Sequence, residues 1–143
     1  MILENTKEIQ ASPETVWQVT LDLENWPEWT PTVQSVRRLD DGPLLVGSQA
    51  RLTQPGLPEA TWTVTDVEVN RRFTWQAKVR GLQVIATHEI IAAGDTTESI
   101  LRLEMPGILA TILSALIRPS ATGSLEQENA GLKAQCELLA GNS

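Results

Sequence analysis

Along residues 73–79 the apolar side chains Phe73, Trp75, Ala77 and Val79 alternate with Thr74, Gln76 and Lys78, the period-two pattern of a strand with one buried face. Residues 33–39, 46–53 and 60–69 are also β-rich, and each segment stops at a cluster of turn residues: Asp40-Asp41-Gly42-Pro43, Gln54-Pro55-Gly56-Leu57-Pro58 and Asn70-Arg71-Arg72. Two further strands are predicted over 82–93 and 97–105, separated by Gly94-Asp95-Thr96. Short connections between neighbours imply an antiparallel meander, and the β-tolerant residues 2–10 bring the predicted strands to seven.

Helical signals flank this block. Ser12 is suited to an N-cap and Pro13 to the first helical position, which predicts a short helix from Pro13 to about Leu23. The prolines of Trp26-Pro27-Glu28-Trp29-Thr30-Pro31 leave room for one very short second helix. After Pro106-Gly107 the period becomes helical, through Ile108, Leu109, Ile112, Leu113, Leu116 and Ile117, then Leu125, Asn129, Leu132, Cys136 and Leu139. Pro119 and Gly123 predict a kink or break near 118–123. The expected class is α+β: a seven-stranded antiparallel sheet curved around a long C-terminal helix, with two short helices after strand 1. An apolar sheet face needs a cover, and only the C-terminal helix is long enough to supply it. Where helix and sheet stand apart, an apolar cavity is expected.

Composition narrows the options. A chain of 143 residues with 41% hydrophobic and 20% charged residues is predicted to form one domain over residues 1–143 with its own core. A net charge of −7 opposes nucleic-acid binding, which needs clustered Lys and Arg. Cys136 and His88 are the only cysteine and histidine, so an intrachain disulfide and a Cys/His zinc cluster are excluded; no metal or cofactor is expected. The longest apolar run, 108–117, is about half a bilayer span, so stable membrane insertion is not expected. The start Met1-Ile2-Leu3-Glu4 lacks the features of a signal peptide, and a cytoplasmic protein, monomeric or weakly homodimeric, is expected.

The segments Ile9-Gln10-Ala11-Ser12-Pro13-Glu14-Thr15-Val16-Trp17 and Asp22-Leu23-Glu24-Asn25-Trp26-Pro27-Glu28-Trp29-Thr30-Pro31 resemble the opening of the helix-grip (SRPBCC) superfamily. That superfamily includes START-type lipid-transfer domains, birch-pollen-allergen-like proteins and bacterial polyketide cyclase/dehydrase-like proteins. Val46-Gly47, Trp62-Thr63-Val64-Thr65-Asp66-Val67, Phe73-Thr74-Trp75, His88, Pro106-Gly107 and Gly131-Leu132-Lys133 with Glu137 extend the likeness along the chain, and the small bacterial polyketide cyclase-like branch fits best. The resemblance implies the helix-grip fold. It leaves carrier, sensor, cyclase and dehydratase open, because fold does not select among them.

The candidate site follows from strand parity. His88 shares parity with Leu82, Val84, Ala86 and Ile90, which turns it toward the helix; it is either a cavity acid/base or a hydrogen-bonded core histidine. The nearest sequence candidates for its partner are Asp66, which shares parity with Trp62 and Val64, and Glu89, which should point the other way; neither makes a recognisable dyad. Trp62, Trp75, Phe73 and Met105 fall at core-parity positions, to stack on a ligand or to fill the core. Asn129 and Leu132 lie on the inward face of the C-terminal helix, and Asn129 either reaches a ligand or bonds a strand. Arg51 faces solvent if Ala50 and Leu52 face the core; in the opposite register it anchors an anion. Trp26 and Trp29 are expected to pack at one end of the sheet, and the 54–58 loop either closes the cavity mouth or is a plain connection. With five Trp and no Tyr, a tyrosine-based oxyanion hole is excluded.

The leading expectation is a protein that binds a small hydrophobic or amphipathic molecule, lipid- or polyketide-like, in the cavity. A cyclase- or dehydratase-type enzyme using His88 is the alternative. A ligand-independent interaction module, with a filled cavity and an exposed apolar patch around 108–117, is the third class.

Overall fold

A computed structural model describes residues 1–141. The chain opens with strand β1 (Ile2–Ile9) and helix α1 (Pro13–Leu21), followed by a 3-10 helix over Leu23–Glu28. Strands β2 (Ser35–Arg38), β3 (Gln49–Thr53), β4 (Ala60–Glu68), β5 (Arg72–Val79), β6 (Leu82–Ala93) and β7 (Thr96–Glu104) come next, then helix α2 (Ile108–Gly141).

α1 starts where the sequence places it. The Ser12 side chain accepts a hydrogen bond from the Thr15 N–H at 3.2 Å, and Pro13 occupies the first turn, where no N–H is needed. The second short helix is 3-10 and contains Pro27, consistent with the tight spacing of the two prolines.

All seven strands form one antiparallel sheet in the order β1-β7-β6-β5-β4-β3-β2. Consecutive strands β2 to β7 are neighbours, and β1 pairs along its whole length with β7, from Ile2 opposite Glu104 to Ile9 opposite Thr97. The β5–β6 hairpin turns on Arg80 and Gly81, both at positive φ (52° and 80°), the backbone that a two-residue turn requires between right-twisted strands. β2 and β3 are shorter than the hydrophobic pattern implied. The connection between them is held by Asp40, whose carboxylate accepts hydrogen bonds from the Gln49 N–H and the Ser48 hydroxyl.

α2 lies across the sheet and packs on β1, β7 and α1. Asn129, fully buried, ties it down: its side-chain amide donates to the Asn5 carbonyl and Oδ1 and to the Ser99 carbonyl, and its Oδ1 accepts from the Ser99 hydroxyl at 2.8 Å. Of the kink or break expected near 118–123, the break is absent: α2 is one 34-residue helix with Pro119 inside it. Pro119, Ser120 and Gly123 are solvent-exposed, so local backbone disruption around the proline is met by water rather than by an apolar core. α2 is also long and apolar enough to cross a membrane, with a mean hydropathy of 1.3, more than the ten-residue run alone suggested. Its buried residues Leu125, Asn129, Leu132 and Cys136 make it the core helix of the fold.

Candidate functional site

The inner face of the sheet carries a continuous aromatic wall. Trp62 on β4 lies 5.2 Å from Trp75 on β5 between ring centroids, Trp75 lies 5.3 Å from Trp26, and Trp26 lies 5.3 Å from His88 on β6. Pairing explains the arrangement, because β5 and β6 align Phe73 with His88 and Trp75 with Ala86. Trp26 comes from the 3-10 helix and is fixed by a 3.1 Å hydrogen bond from its indole N–H to the Thr20 carbonyl.

Between this wall and α2 is a cavity of about 350 Å³. Trp62, Trp75, His88 and Met105, expected from parity, line it, and so do Trp26 and Glu128. The lining residues Leu57, Arg80, Ser120 and Ser124 are exposed and mark the side on which it opens. The 54–58 loop is therefore at the cavity mouth, pinned there by a 2.8 Å hydrogen bond from the Arg80 guanidinium to the Gly56 carbonyl.

His88 is 4% exposed, and its Nε2 lies 3.6 Å from Oε1 of Glu128 on α2, beyond hydrogen-bond range. Burial drives both groups toward their neutral forms: it lowers the His88 pKa to about 4 and raises that of Glu128 to about 7. Among the described residues, His88 Nδ1 and the Trp62 indole N–H are buried without a hydrogen-bond partner. A buried polar atom left unpaired costs about 1–3 kcal/mol, so two of them beside one cavity are a notable departure from a satisfied core.

Four candidates fall outside the cavity lining. Arg51 faces solvent and pairs with Glu59 at 2.9 Å, because the unbroken β3–β4 register turns Ala50 and Leu52 inward. Phe73 is fully buried behind the wall, 5.2 Å from Trp75 and 5.8 Å from His88 between ring centroids. Leu132 belongs to the core between α2 and the sheet, and Asn129 spends its polar atoms on β1 and β7. Asp66 is no partner for His88 either. A bulge between Val64 and Asp66 shifts the β4 register, so that Val67 sits opposite Phe73 while Asp66 turns outward and pairs with Arg72. Glu89 also points away, 3.5 Å from Arg102.

The partner that strand parity missed is Glu128. Its signal was helical: it stands three residues after Leu125 and four before Leu132, on the face that packs against the sheet. Cys136 is fully buried, and burial pushes its thiol up to about 12, which leaves it a core residue. Among the described residues there is no cluster of His, Cys, Asp or Glu able to hold a metal ion.

A seven-stranded sheet over one long helix, with two short helices after the first strand and a cavity between the layers, makes up a helix-grip fold like that of START proteins. The profile of the polyketide cyclase/dehydrase and lipid transport family matches residues 2–137, and the chain belongs to that family. Its fold is similar to that of a START superfamily protein from Mycobacterium smegmatis, with a TM-score of 0.79 and 20% identity over 96% of this chain and 98% of that one. A protein from Thermus thermophilus superposes at a TM-score of 0.76 with 18% identity over the full length of both chains. The di-domain ARO/CYC StfQ of the steffimycin biosynthetic pathway gives a TM-score of 0.78 at 11% identity, covering 98% of this chain and 51% of that one. At these identities the likeness is one of fold. No curated protein matches the sequence.

Proposed function

We propose that the protein binds a small hydrophobic or amphipathic molecule, lipid- or polyketide-like, in the cavity between the sheet and α2. The observation that carries this reading is the unfilled, aromatic-walled cavity of about 350 Å³, the size and character of a small-molecule site. Desolvation supplies the affinity, at about 25 cal/mol per Å² of apolar surface buried; the partly buried lining residues Val79, Leu82, Leu103, Ile117 and Ala121 provide the contact surface, and the buried Trp26, Trp62 and Trp75 form the wall behind them. His88 and Glu128 set orientation. On this reading the protein works in the cytoplasm as a monomer or weak homodimer, without metal or cofactor. Native mass spectrometry of protein purified from its own host, with calorimetric titration of long-chain and polycyclic ligands, is the test. Retained small molecules or saturable binding that weakens in Trp75→Ala are expected. A bare mass with no binding across both ligand classes would refute the reading and favour an interaction role for the exposed aliphatic residues of α2, Ile108, Ile112 and Leu116.

One observation favours a second reading as a cyclase- or dehydratase-type enzyme: a buried histidine faces a buried carboxyl group across 3.6 Å inside the cavity. Such a pair can pass a proton to a bound substrate. Here His88→Gln abolishes turnover of a β-keto or hydroxy substrate and leaves its affinity intact; equal loss of both assigns His88 to positioning alone.

A further inference from the structure

Two features of the outer surface converge on the cavity mouth. The Arg80-Gly81 turn and the 105–107 link into α2 lie at the same end of the sheet, since Val79 pairs with Leu82 and Ile85 with Glu104, and the Arg80–Gly56 hydrogen bond brings the 54–58 loop to that end. From there α2 runs with its first half largely uncovered: Ile108 is 81% exposed, Ile112 70% and Leu116 80%. These three stand at four-residue intervals, and the same row continues through Ser120 and Ser124, which line the cavity. An aliphatic ridge therefore leads to the mouth, where Leu57 on the 54–58 loop is exposed as well.

The charge of this end is opposite in sign to that of the whole chain. Residues 54–58, 78–83 and 105–124 contain Lys78, Arg80 and Arg118 and no Asp or Glu, within a net charge of −7. Seven of the eleven Lys and Arg side chains pair with carboxylates. Among the described residues Arg37, Lys78, Arg80 and Arg118 form no such pair, and the last three belong to the segments around the mouth. The flanking carboxylates are engaged, Glu59 by Arg51 and Glu104 by the field of Arg102.

We propose that this end of the molecule docks peripherally on a bilayer that carries anionic lipids, with the cavity mouth turned toward the lipid. The docking face stands on its own observations; only the use of the mouth rests on the ligand-binding reading. Ile108, Ile112 and Leu116 enter the boundary between headgroups and acyl chains, and Lys78, Arg80 and Arg118 meet lipid phosphates. The acidic remainder of the surface is held away from the bilayer, beyond a Debye length of about 10 Å at moderate salt, and so fixes the orientation. A second copy is a poorer occupant, because a two-fold contact through the same face would set its unpaired cations against one another.

Cosedimentation with vesicles of phosphatidylcholine alone, and with vesicles about one-third phosphatidylglycerol, tests this. The protein is expected to bind the anionic vesicles at least about tenfold more tightly than the neutral ones, and to be released by about 0.5 M NaCl. Lys78→Gln and Arg118→Gln should each weaken binding about fivefold. Ile112→Ser combined with Leu116→Ser should weaken it by about tenfold or more. None of these four side chains lines the cavity, so calorimetric titration of each variant with soluble long-chain and polycyclic ligands should match the parent, and circular dichroism establishes that each is folded. Equal binding to both kinds of vesicle, no binding to either, or variants that bind as the parent does would refute the docking face and leave the ligand-binding reading standing. A dimer in sedimentation velocity that Ile112→Ser with Leu116→Ser dissolves would assign the ridge to a second copy and refute it too. Vesicle binding that follows the expected pattern, in a protein that takes up no soluble ligand, would uphold the docking face and count against the cavity reading alone.

Discussion

Replacing Gly131 by alanine sets two effects of opposite sign against each other within α2. Glycine in a helix interior is less favourable than alanine by about 1 kcal/mol, so propensity alone predicts that Gly131→Ala stabilises the protein. Packing predicts the reverse. A Cβ on Gly131 would stand 2.0 Å from the Trp29 carbonyl oxygen and 3.1 Å from its carbonyl carbon, whereas real Cβ atoms do not approach closer than 3.0 Å. Backbone cannot rotate aside as a side chain can, so α2 or the segment after the 3-10 helix must retreat by about 1 Å, against an overpacking cost of about 3 kcal/mol at such a contact. The net expectation is destabilisation by about 2 kcal/mol, or about 6 °C in melting temperature for a chain of this size. Gly123 is the internal control: it lies in the same helix with no heavy atom within 4 Å of the added Cβ. Gly123→Ala should therefore stabilise by up to about 1 kcal/mol. Urea titration and thermal melts followed by circular dichroism measure both. The movement should also reach the cavity, since Trp29 packs 5.7 Å from Trp26, and ligand affinity should fall in Gly131→Ala alone. A Gly131→Ala protein as stable as the parent, or a Gly123→Ala protein that loses as much as Gly131→Ala, would refute the reasoning.

Asn129→Leu keeps side-chain volume but strands the Ser99 hydroxyl and the Asn5 side chain under α2, so a loss of about 3 kcal/mol in urea denaturation is expected; a loss below about 1 kcal/mol would mean that the network adds little. For His88, burial lowers the folded pKa to about 4, so the unfolded chain binds the proton more readily below about 6.5 and the histidine destabilises the fold progressively from there down to about 4. Glu128 has the opposite sign: its pKa is raised to about 7, so the folded state holds the proton longer and stability is lost as pH rises from about 4.5 to 7. His88→Gln should therefore gain on the parent protein as pH falls below about 6.5, and Glu128→Gln as it rises above about 4.5, each by at most about 1.4 kcal/mol per pH unit; parallel stability profiles would overturn both assignments. Cys136 should resist an aromatic disulfide reagent in the native protein and react only as fast as the protein opens; rapid native labelling would show the thiol to be accessible.

Local patterning was enough to place the strands and the first helix. Period-two alternation set β5 and the inward parity of His88, Ser12-Pro13 set the start of α1, and the turn clusters ended each strand close to where it ends. These signals are carried by residues a few positions apart, and so survive without a tertiary partner. The alternation of Ala50, Arg51 and Leu52 likewise left two faces for Arg51, and the sheet register chose the outer one.

The site depended on what is distant in sequence. A bulge of one residue between Val64 and Asp66 reversed the face of Asp66, and alternation cannot register such a shift because the shift is itself decided by pairing with β5. Glu128 meets His88 across 40 positions of chain only because Asn129, one residue further on, locks α2 to β1 and β7. Trp26 joins the cavity wall because its indole is tethered to Thr20 and the 3-10 helix folds it under the sheet. Pro119 gave a strong local signal for a break that the helix does not show, since it falls on a stretch of α2 exposed to water. The sequence by itself thus determined the elements and the residue types available to a cavity. Tertiary structure decided which of them border it, because helix stand-off, sheet register and the burial that lowers the His88 pKa and raises that of Glu128 are properties of elements in contact.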